Sequence, residues 1–457
     1  MSIIGHPFKN IKQKLSHSLG LPFQKVLPET MIQEAIRAEG ITYRKRLFWP
    51  VVTVWMFLSQ VLDKDKSCEN AVSRFIVFLS SQKASLPSAD PSAYCQARKR
   101  LSEGLFKRLF VGVAHRLQAR VSQEGLWKGR RAFLLDGSTV SMPDTPENQA
   151  AYPQHKTQAP GCGFPLARIV GLFSLATGAA WDLLVGAWKT SEIKMARQLY
   201  EKLEPQDILV GDRLFGSYAD FWMIQTQNID GLFRMHQRRK ADFRKGERLG
   251  KNDHLVCWTK PKHCPQGLPQ EIYDQLPETL TIREIRDTLQ RKGYRTKSVT
   301  LVTTLLDPKA YPKDDLTELF GLRWSVELNL RHLKTTMGMD ILSTQTPQMV
   351  RKEIFCHLLA YNLIRSLMWD AAVRHQVSVL RLSVQATIRH TINFAPQLAQ
   401  AGRHKRQSLY HTLLSLIAQE QVPDRSGRHE PRVRKRRPKA YPLMTKSRQE
   451  LRRKLAA

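Results

Sequence analysis

The chain has 457 residues, enough for two or three hydrophobic cores. Its 42% hydrophobic and 25% charged residues are ordinary for a folded protein and exclude a largely disordered chain. The charge balance is unusual, because 72 lysines and arginines face 40 aspartates and glutamates and give a net charge of +32. A polyanion is the natural partner, since each neutralised phosphate releases a counterion. A solvated basic surface and an anionic membrane face are the alternatives.

The sequence gives no sign of export or membrane insertion. Its first residues lack the apolar segment of a signal peptide. The strongest apolar run, residues 48–62, contains Pro50 and is shorter than the roughly 20 residues that a membrane span needs. The six cysteines are scattered, as is usual without disulfides in a reducing compartment. We therefore expect a cytoplasmic protein.

Residues 1–125 are predicted to form a helical region that binds DNA ends. Within it, Asp90 and Pro91 are expected to begin a helix over 92–101. The end of this helix carries Arg98, Lys99 and Arg100, which would give it a strongly basic surface. Such a surface can bind DNA, although a solvated charged face fits the pattern equally well.

Residues 126–235 are predicted to form the first part of a mixed α/β core. Apolar runs with β character alternate here with amphipathic segments, and Thr177-Gly178-Ala179 forms a turn between two of them. Ser191 is expected to cap a helix, with Glu192 favourable in its first turn. The strands are expected at 131–142, 167–177, 180–188, 207–212 and 231–235, and the helices at 191–203 and 217–227.

The remaining residues divide into four predicted segments. Short β-like pieces interrupted by prolines indicate a β-rich insertion over 236–300, because so long a plain loop is improbable. The core resumes over 301–345, and helices cover 346–420. The basic tail, 421–457, contains Arg434, Lys435, Arg436 and Arg437, and we expect it to be extended when free and to lie along DNA phosphates when bound.

The segment 320–334 is predicted to be a helix that combines an acid with cations. At about 100° per residue, Arg323, Glu327 and Lys334 fall within roughly 40° of one another, and Phe320 lies near them. Leu322, Val326 and Leu333 form a stripe that would face the core. A carboxylate among cations suits a metal ion on the acid and phosphate oxygens on the cations. This pattern predicts chemistry on a nucleic-acid backbone.

Two further acids lie near the ends of apolar strands. Asp136 stands in Leu-Leu-Asp-Gly-Ser-Thr and Asp212 in Val-Gly-Asp-Arg. Each alone is a weak signal, since Asp-Gly is a common turn pair, but a buried ionised aspartate costs several kcal/mol unless it is paired or metal-bound. With Glu327, these acids form a set that can hold two Mg²⁺ or Mn²⁺ ions about 3.5–4 Å apart. The set predicts in-line phosphoryl transfer without a nucleophilic side chain.

These motifs resemble a DDE transposase of the insertion-sequence-four family. The resemblance covers residues about 90–440 and assigns Asp136, Asp212 and Glu327 as the catalytic acids and metal ligands. It implies a ribonuclease-H-like catalytic core with a β-rich insertion, a helical DNA-binding region before it, and helices and a basic tail after it. It also implies cut-and-paste movement of a bacterial insertion sequence, with binding to terminal inverted repeats, a dimer on DNA and a hairpin intermediate.

The family's Tyr-Arg-Glu-Lys motif, with intervals of two, three and six residues, falls here on Phe320, Arg323, Glu327 and Lys334. Phenylalanine keeps the ring but lacks the hydroxyl that would bind a phosphate. Arg331, on the same segment, is grouped with these DNA-binding residues. The resemblance also makes Trp258, in the insertion, a candidate for stacking on an unpaired base. The alternative for Trp258 is a core residue of the insertion.

Two other functions remain open at this point. One is a ribonuclease-H-like nuclease that hydrolyses DNA without strand transfer. The other is a DNA-binding protein derived from a transposase whose catalytic site is silent; the presence of all three acids argues against it.

Overall fold

A computed structural model describes residues 22–44, 46–287, 298–423 and 441–456. The chain divides into two compact units, which we call the helical unit and the sheet unit. The helical unit draws on Met1–Val121, Thr177–Trp181 and Leu330–Val422, and the sheet unit on Ser122–Ala176, Asp182–Asn329 and Pro423–Ala457. The predicted DNA contacts of the tail, Arg434, Lys435, Arg436 and Arg437, lie outside the described residues.

The helical unit is built from amphipathic and largely buried helices. Its longest helix, Pro347–His375, begins at the N-cap Thr346, whose hydroxyl accepts a hydrogen bond from the Met349 N–H, and ends at Gln376 in the left-handed conformation. This helix is buried on most of its circumference, as expected for the centre of a helical core. No described helix has the length and apolar character needed to cross a membrane. The helices are α1 (Glu29–Ala38), α2 (Pro50–Leu62), α3 (Cys68–Ser81), α4 (Ser92–Arg100), α5 (Glu103–Gln118), and, later in the chain, α12 (Pro347–His375), α13 (Val384–Gln400) and α14 (Arg403–Gln419).

The predicted basic surface of α4 is only partly present. Arg98 is 8% exposed, and its guanidinium donates to Gln60 Oε1 over 2.9 Å while it packs against the Phe57 and Tyr94 rings. Arg98 is therefore a core residue of the helical unit, and its assignment to DNA binding is corrected. Lys99 and Arg100 are exposed.

The sheet unit contains one nine-stranded sheet in the order β3-β2-β1-β4-β5-β9-β8-β7-β6. Its first five strands are arranged 3-2-1-4-5, with β1 antiparallel to β2 and parallel to β4, and with β4 parallel to β5. This is the ribonuclease-H-like arrangement that the sequence predicted. The strands are β1 (Ala132–Ser141), β2 (Leu166–Ser174), β3 (Ala180–Ala187), β4 (Ile208–Gly211), β5 (Asp230–Arg234), β6 (Glu247–Gly250), β7 (Asp253–Thr259), β8 (Thr279–Asp287) and β9 (Val299–Thr303).

Helices connect and follow these strands. The helix after β3 and the one between β4 and β5 were predicted within a few residues of their observed bounds. The tail differs from the prediction, because residues expected to be extended form a helix that is capped by Ser447 and supported by a Lys446–Glu450 ion pair at 3.3 Å. The helices are α6 (Pro146–Ala151), α7 (Glu192–Tyr200), α8 (Tyr218–Gln225), α9 (Gln270–Gln275), α10 (Lys313–Leu322), α11 (Trp324–Arg331) and α15 (Arg448–Ala456).

The insertion strands β6, β7 and β8 continue the main sheet, with β9 joining them to β5. A buried ion pair holds them together: the fully buried Arg283 binds Asp253 through two hydrogen bonds of 2.8 and 2.6 Å. The same guanidinium donates to the Tyr311 carbonyl over 2.7 Å, so the insertion is also tied to the segment before α10.

This pair gives a stability prediction. Asp253→Asn removes the charge that compensates Arg283, and leaving that arginine buried without its partner should lower the free energy of unfolding by about 3–5 kcal/mol. Urea denaturation followed by circular dichroism measures the change. The control is Asp242→Asn, which removes the acid of an ion pair whose Arg244 side chain is 90% exposed, and it should leave stability nearly unchanged. Equal effects of the two variants would contradict the assignment.

Candidate active site

Strand register places two of the three predicted acids side by side. In the parallel pairing of β1 with β4, Leu134 is opposite Val210 and Leu135 is opposite Gly211. Asp136 and Asp212 are the next residues of the two strands, and adjacent strands are about 4.8 Å apart. The four residues before Asp136 are buried, as are all four residues of β4. The buried parts of the two strands thus carry both aspartates to the point where the β1–β4 pairing ends, although Asp136 itself lies within β1, which continues to Ser141 alongside β2.

Glu327 lies on α11, after an interruption in the predicted helix. Helix α10 ends at Leu322, Arg323 forms a turn, and α11 continues to Arg331 before a π-helical turn over His332–Thr336. The one regular helix expected over 320–334 is therefore divided into α10, α11 and a π-helical turn, with Arg323 itself in the right-handed helical conformation. The core-facing stripe is nevertheless confirmed at Val326 and Leu333, both of which are fully buried.

Arg323 joins the acid of α11 to the motif's aromatic ring. Its Nη2 lies 3.0 Å from Glu327 Oε1, and its guanidinium carbon lies 5.7 Å from the centre of the Phe320 ring. Phe320 is 7% exposed, so its ring packs in the interior against Arg323. Three of the four motif positions therefore meet as the spacing predicted, with the arginine between the ring and the carboxylate.

The acids influence one another electrostatically. Burial raises the pKa of Asp136 to about 6; the charges of Glu192 and Glu327 also raise it, whereas the Gly137 N–H and Arg323 lower it. Burial likewise raises the pKa of Glu192, against the lowering effect of Arg168, and the charge of Asp212 raises it further. Four carboxylates therefore share one region of the sheet unit, and the nearby arginines compensate them only in part.

The donor chemistry of this region fits a divalent cation. Within the described ranges, no three histidine, cysteine, aspartate or glutamate side chains are grouped closely enough to hold a metal ion. The acids lie instead within electrostatic range, and their mutual repulsion is what a bound cation would relieve. Carboxylate oxygens are the ligands that Mg²⁺ and Mn²⁺ prefer. Convergence of Asp136, Asp212 and Glu327 on shared ions stays a prediction.

Trp258 does not lie where a base could reach it. The side chain is 4% exposed, and its indole Nε1 donates to Glu284 Oε1 over 2.8 Å. The Arg239 guanidinium carbon is 3.7 Å from the ring centre, and Phe221 packs edge-on. Both the face and the edge of the indole are thus in contact with protein, so the base-stacking assignment is corrected to the core alternative.

The other predicted DNA-binding cations lie in the helical unit. Arg331 is exposed at the end of α11, and Lys334 is half-buried in the π-helical turn, where burial lowers its pKa against the opposing charge of Asp340. DNA binding by Arg331 and Lys334 stays a prediction.

Glu192 is an acid of this region that the sequence did not place near the predicted site residues. In the sequence it reads as a helix-terminal acid, and such residues are common because they interact favourably with the helix dipole. Glu192 and Asp136 are far apart in the sequence, and they come near each other only in the folded chain. The one signal available in advance was its position at the start of the helix after β3, facing a predicted core that already held two acids.

The raised pKa of Asp136 gives a pH prediction for the metal-free protein. Because the folded-state pKa of about 6 exceeds the ordinary value of 3.8, the folded chain binds this proton more tightly than the unfolded chain does. The carboxyl therefore destabilises the fold as pH rises from about 4 to 6, with full effect above 6. In EDTA, Asp136→Asn should be more stable than wild type at pH 8, by on the order of 2 kcal/mol, and the difference should vanish near pH 3.5. Thermal unfolding over this pH range measures it.

Asp144→Asn is the matched control, since this exposed acid follows the same strand. If the Tm difference between Asp136→Asn and wild type is the same at pH 3.5 and at pH 8, the Asp136 carboxyl does not have a raised pKa in the folded protein.

Comparison with known proteins places this chain in a family. The family described as "Transposase DDE domain" matches residues 127–363, and "Insertion element 4 transposase N-terminal" matches residues 17–111. The transposase InsG for insertion sequence element IS4 of Escherichia coli (strain K12) is 28% identical over 431 residues, covering 93% of each chain. A putative transposase InsL for insertion sequence element IS186A, from the same organism, is 29% identical over 280 residues, covering 55% of this chain and 70% of that one.

Among solved structures, the piggyBac transposase synaptic complex with hairpin DNA is 11% identical, with a TM-score of 0.40 over 88% of this chain and 84% of that chain, too weak a likeness to carry an argument. The family matches are sufficient without it, since the DDE domain alone covers more than half of the residues. The chain belongs to the DDE-domain transposases of the IS4 type, enzymes that cleave DNA and transfer the cut strands.

Proposed function

We propose that Asp136, Asp212 and Glu327 are the catalytic acids of this transposase and bind two Mg²⁺ or Mn²⁺ ions. The observation that carries the proposal is the strand register, because Asp136 and Asp212 follow the last paired residues of two parallel strands. The influence of Glu327 on the pKa of Asp136 adds the third acid to the same region. Bound ions would activate an attacking water or 3′-hydroxyl and stabilise the departing oxygen.

The chain's own residues orient the acids and the DNA. Arg323 holds the Glu327 carboxylate at 3.0 Å and is itself held by the Phe320 ring, so the acid is presented in one orientation. When DNA is bound, Arg323, Arg331 and Lys334 contact the phosphates that flank the scissile bond. Arginine suits this task because its planar guanidinium can bind two phosphate oxygens together.

The DNA substrate is the pair of terminal inverted repeats of the chain's own insertion sequence, together with target DNA. Lys99 and Arg100, both exposed at the end of α4, bind the backbone of the repeat. Arg434, Lys435, Arg436 and Arg437 of the tail extend that contact. We further propose that the enzyme acts in the bacterial cytoplasm on nucleoid DNA, as a dimer, in a cut-and-paste reaction that passes through a DNA hairpin.

The catalytic assignment is tested on linear DNA carrying the inverted repeats that bracket the reading frame. Asp136→Asn, Asp212→Asn and Glu327→Gln should each lower the cleavage rate with Mg²⁺ or Mn²⁺ by about a hundredfold or more, since each removes a negatively charged metal ligand. Gel analysis of nicked and double-strand products measures the rates. Glu147→Gln, which changes an exposed acid of α6, should cleave like wild type.

A second substrate separates strand transfer from simple hydrolysis. Given a pre-cleaved end and a target plasmid, wild type should form joined products that the three catalytic variants do not form. Hydrolysis without joined product would favour a nuclease, and absence of any cleavage by wild type would favour a silent DNA-binding protein. Unchanged cleavage by Asp212→Asn would refute the metal site.

The DNA-binding assignment makes a separate prediction from salt dependence. Replacing both Lys99 and Arg100 by Gln should weaken binding and reduce the slope of log affinity against log salt by up to about 2, because each lost phosphate contact removes about 0.9 from the slope. Fluorescence anisotropy with labelled repeat DNA between 50 and 200 mM salt measures this.

The matched control replaces two exposed cations at the start of α14, Arg403 and Lys405, by Gln. It changes the net charge equally and should leave the slope closer to that of wild type. If both double variants reduce the slope to the same extent, α4 contributes only non-specific charge.

A further inference from the structure

Lys66, in the loop between α2 and α3, is partly buried against the segment that follows the π-helical turn. Its Nζ donates a hydrogen bond to the carbonyl of Met337, at the C-terminal end of that turn, and lies 3.4 Å from His357 Nε2. A Cβ atom on Gly338, whose φ is +67°, would be 2.6 Å from Nζ, so this glycine leaves the space that the ammonium group occupies. Lys66 thus supplies a donor to a helix-terminal carbonyl, a place where a cation is also favourable.

His357 is arranged to accept a hydrogen bond from Lys66. Its Nδ1 lies 2.9 Å from the Glu353 carbonyl oxygen, which can only accept, so Nδ1 carries the proton and Nε2 faces Lys66 as an acceptor. Burial lowers the pKa of His357 to about 4, and the charge of Lys66 lowers it further, so the ring is neutral at pH 7. The Glu353 carboxylate accepts from the N–H groups of Ser343 and Thr344 over 3.1 Å. The segment after the π-helical turn is therefore held at both ends.

The backbone of Lys66 is tied to α4, the helix whose end carries the exposed Lys99 and Arg100. The Lys66 carbonyl accepts from Gln60 Nε2 over 2.7 Å, and Gln60 Oε1 accepts from the Arg98 guanidinium over 2.9 Å. A path of hydrogen bonds thus runs from α4 through Gln60 and Lys66 to the π-helical turn. Arg98, which is buried, has a place in this path.

Lys334 lies in the turn that Lys66 holds. The Lys334 carbonyl accepts from the Asp340 N–H over 3.2 Å, so the chain beyond Met337 folds back onto the turn. Burial lowers the pKa of Lys66 and that of Lys334, and the charge of Asp340 opposes this in both. Burying an ammonium group costs free energy that an apolar side chain of similar length would not cost. The contacts that offset this cost for Lys66 are those that hold the turn.

We propose that Lys66 is a positioning residue for DNA binding, which holds the π-helical turn so that Lys334 keeps a fixed position relative to the exposed cations of α4. The inference rests on the proposed function, because it assumes that Lys334 binds a DNA phosphate. Lys66 acts through Lys334 and does not touch the DNA.

The test is binding of the full-length protein to labelled inverted-repeat DNA in EDTA, measured by fluorescence anisotropy in a double-mutant cycle. Lys334→Gln should weaken binding about tenfold or more, the loss expected for a hydrogen bond between charged groups. Lys66→Met should weaken it by about three- to tenfold, because the turn is no longer held. In the Lys334→Gln background, Lys66→Met should change the affinity less than about twofold, since its effect passes through Lys334. Lys64→Met, which removes an exposed charge of the same loop, should bind like wild type.

The cycle separates this inference from the proposed function. An equal loss of affinity in both backgrounds would mean that Lys66→Met acts on the fold and not through Lys334, and it would overturn the inference; so would wild-type affinity of Lys66→Met. If Lys334→Gln itself binds like wild type, the proposed phosphate contact is wrong, and the inference falls with it. Should Lys66→Met not fold, as judged by circular dichroism, Gly338→Ala replaces it, because the added Cβ would push the ammonium group away from the Met337 carbonyl. The same pattern of effects is then expected.

Discussion

The parallel pairing of β1 with β4 forces Asp136 and Asp212 into neighbouring positions, and the rest of the site depends on how their charges are tolerated. Four buried residues in each strand make this pairing strongly favourable. Burial of a charged carboxyl is correspondingly unfavourable: it is the main cause of the raised pKa of Asp136, and the charges of Glu192 and Glu327 raise that pKa further. The hydrophobic sheet thus stabilises an arrangement that the acids alone would oppose, a common feature of catalytic sites.

Glycines make room around these acids. Gly211 precedes Asp212, and a Cβ there would lie 3.1 Å from the Phe215 and Phe233 rings, tighter than most packed contacts. Gly137 follows Asp136 and lies under the Glu192 carboxylate. Each acid therefore has a glycine neighbour for a different steric reason: one lets aromatic rings close over β4, and the other admits a further acid.

Much of the core was predictable because its signals are local. Apolar runs mark the strands, and the residues at which those runs end mark Asp136 and Asp212. What failed depends on partners distant in sequence. Arg98 looked like a surface cation, but Gln60 of α2 supplies the acceptor that lets it be buried. Likewise, Trp258 is buried because Glu284 and Arg239 reach it across the insertion.

The break at Arg323 escaped prediction for another reason. The sequence around it has no proline to mark an interruption, so a continuous period of 3.6 residues was the natural expectation. Arg323 and Glu327 nevertheless meet, because the four-residue interval survives the turn. The predicted contact between Arg323 and Glu327 is thus present although the helix is not continuous. The predicted position of Lys334 on the same helical face also required a regular α-helix up to residue 334, and the π-helical turn over His332–Thr336 changes that geometry.

Phe320, which stands where the family motif has tyrosine, has a structural role that does not need a hydroxyl. Its ring packs against the Arg323 guanidinium, a cation–π contact that needs no hydroxyl. The orientation of Arg323, and through it of Glu327, is therefore independent of the missing oxygen. The hydroxyl of a tyrosine would add one hydrogen bond to a DNA phosphate, on the order of 1.5–3 kcal/mol. We infer that phenylalanine in place of tyrosine at position 320 weakens DNA binding and leaves the orientation of Glu327 unchanged.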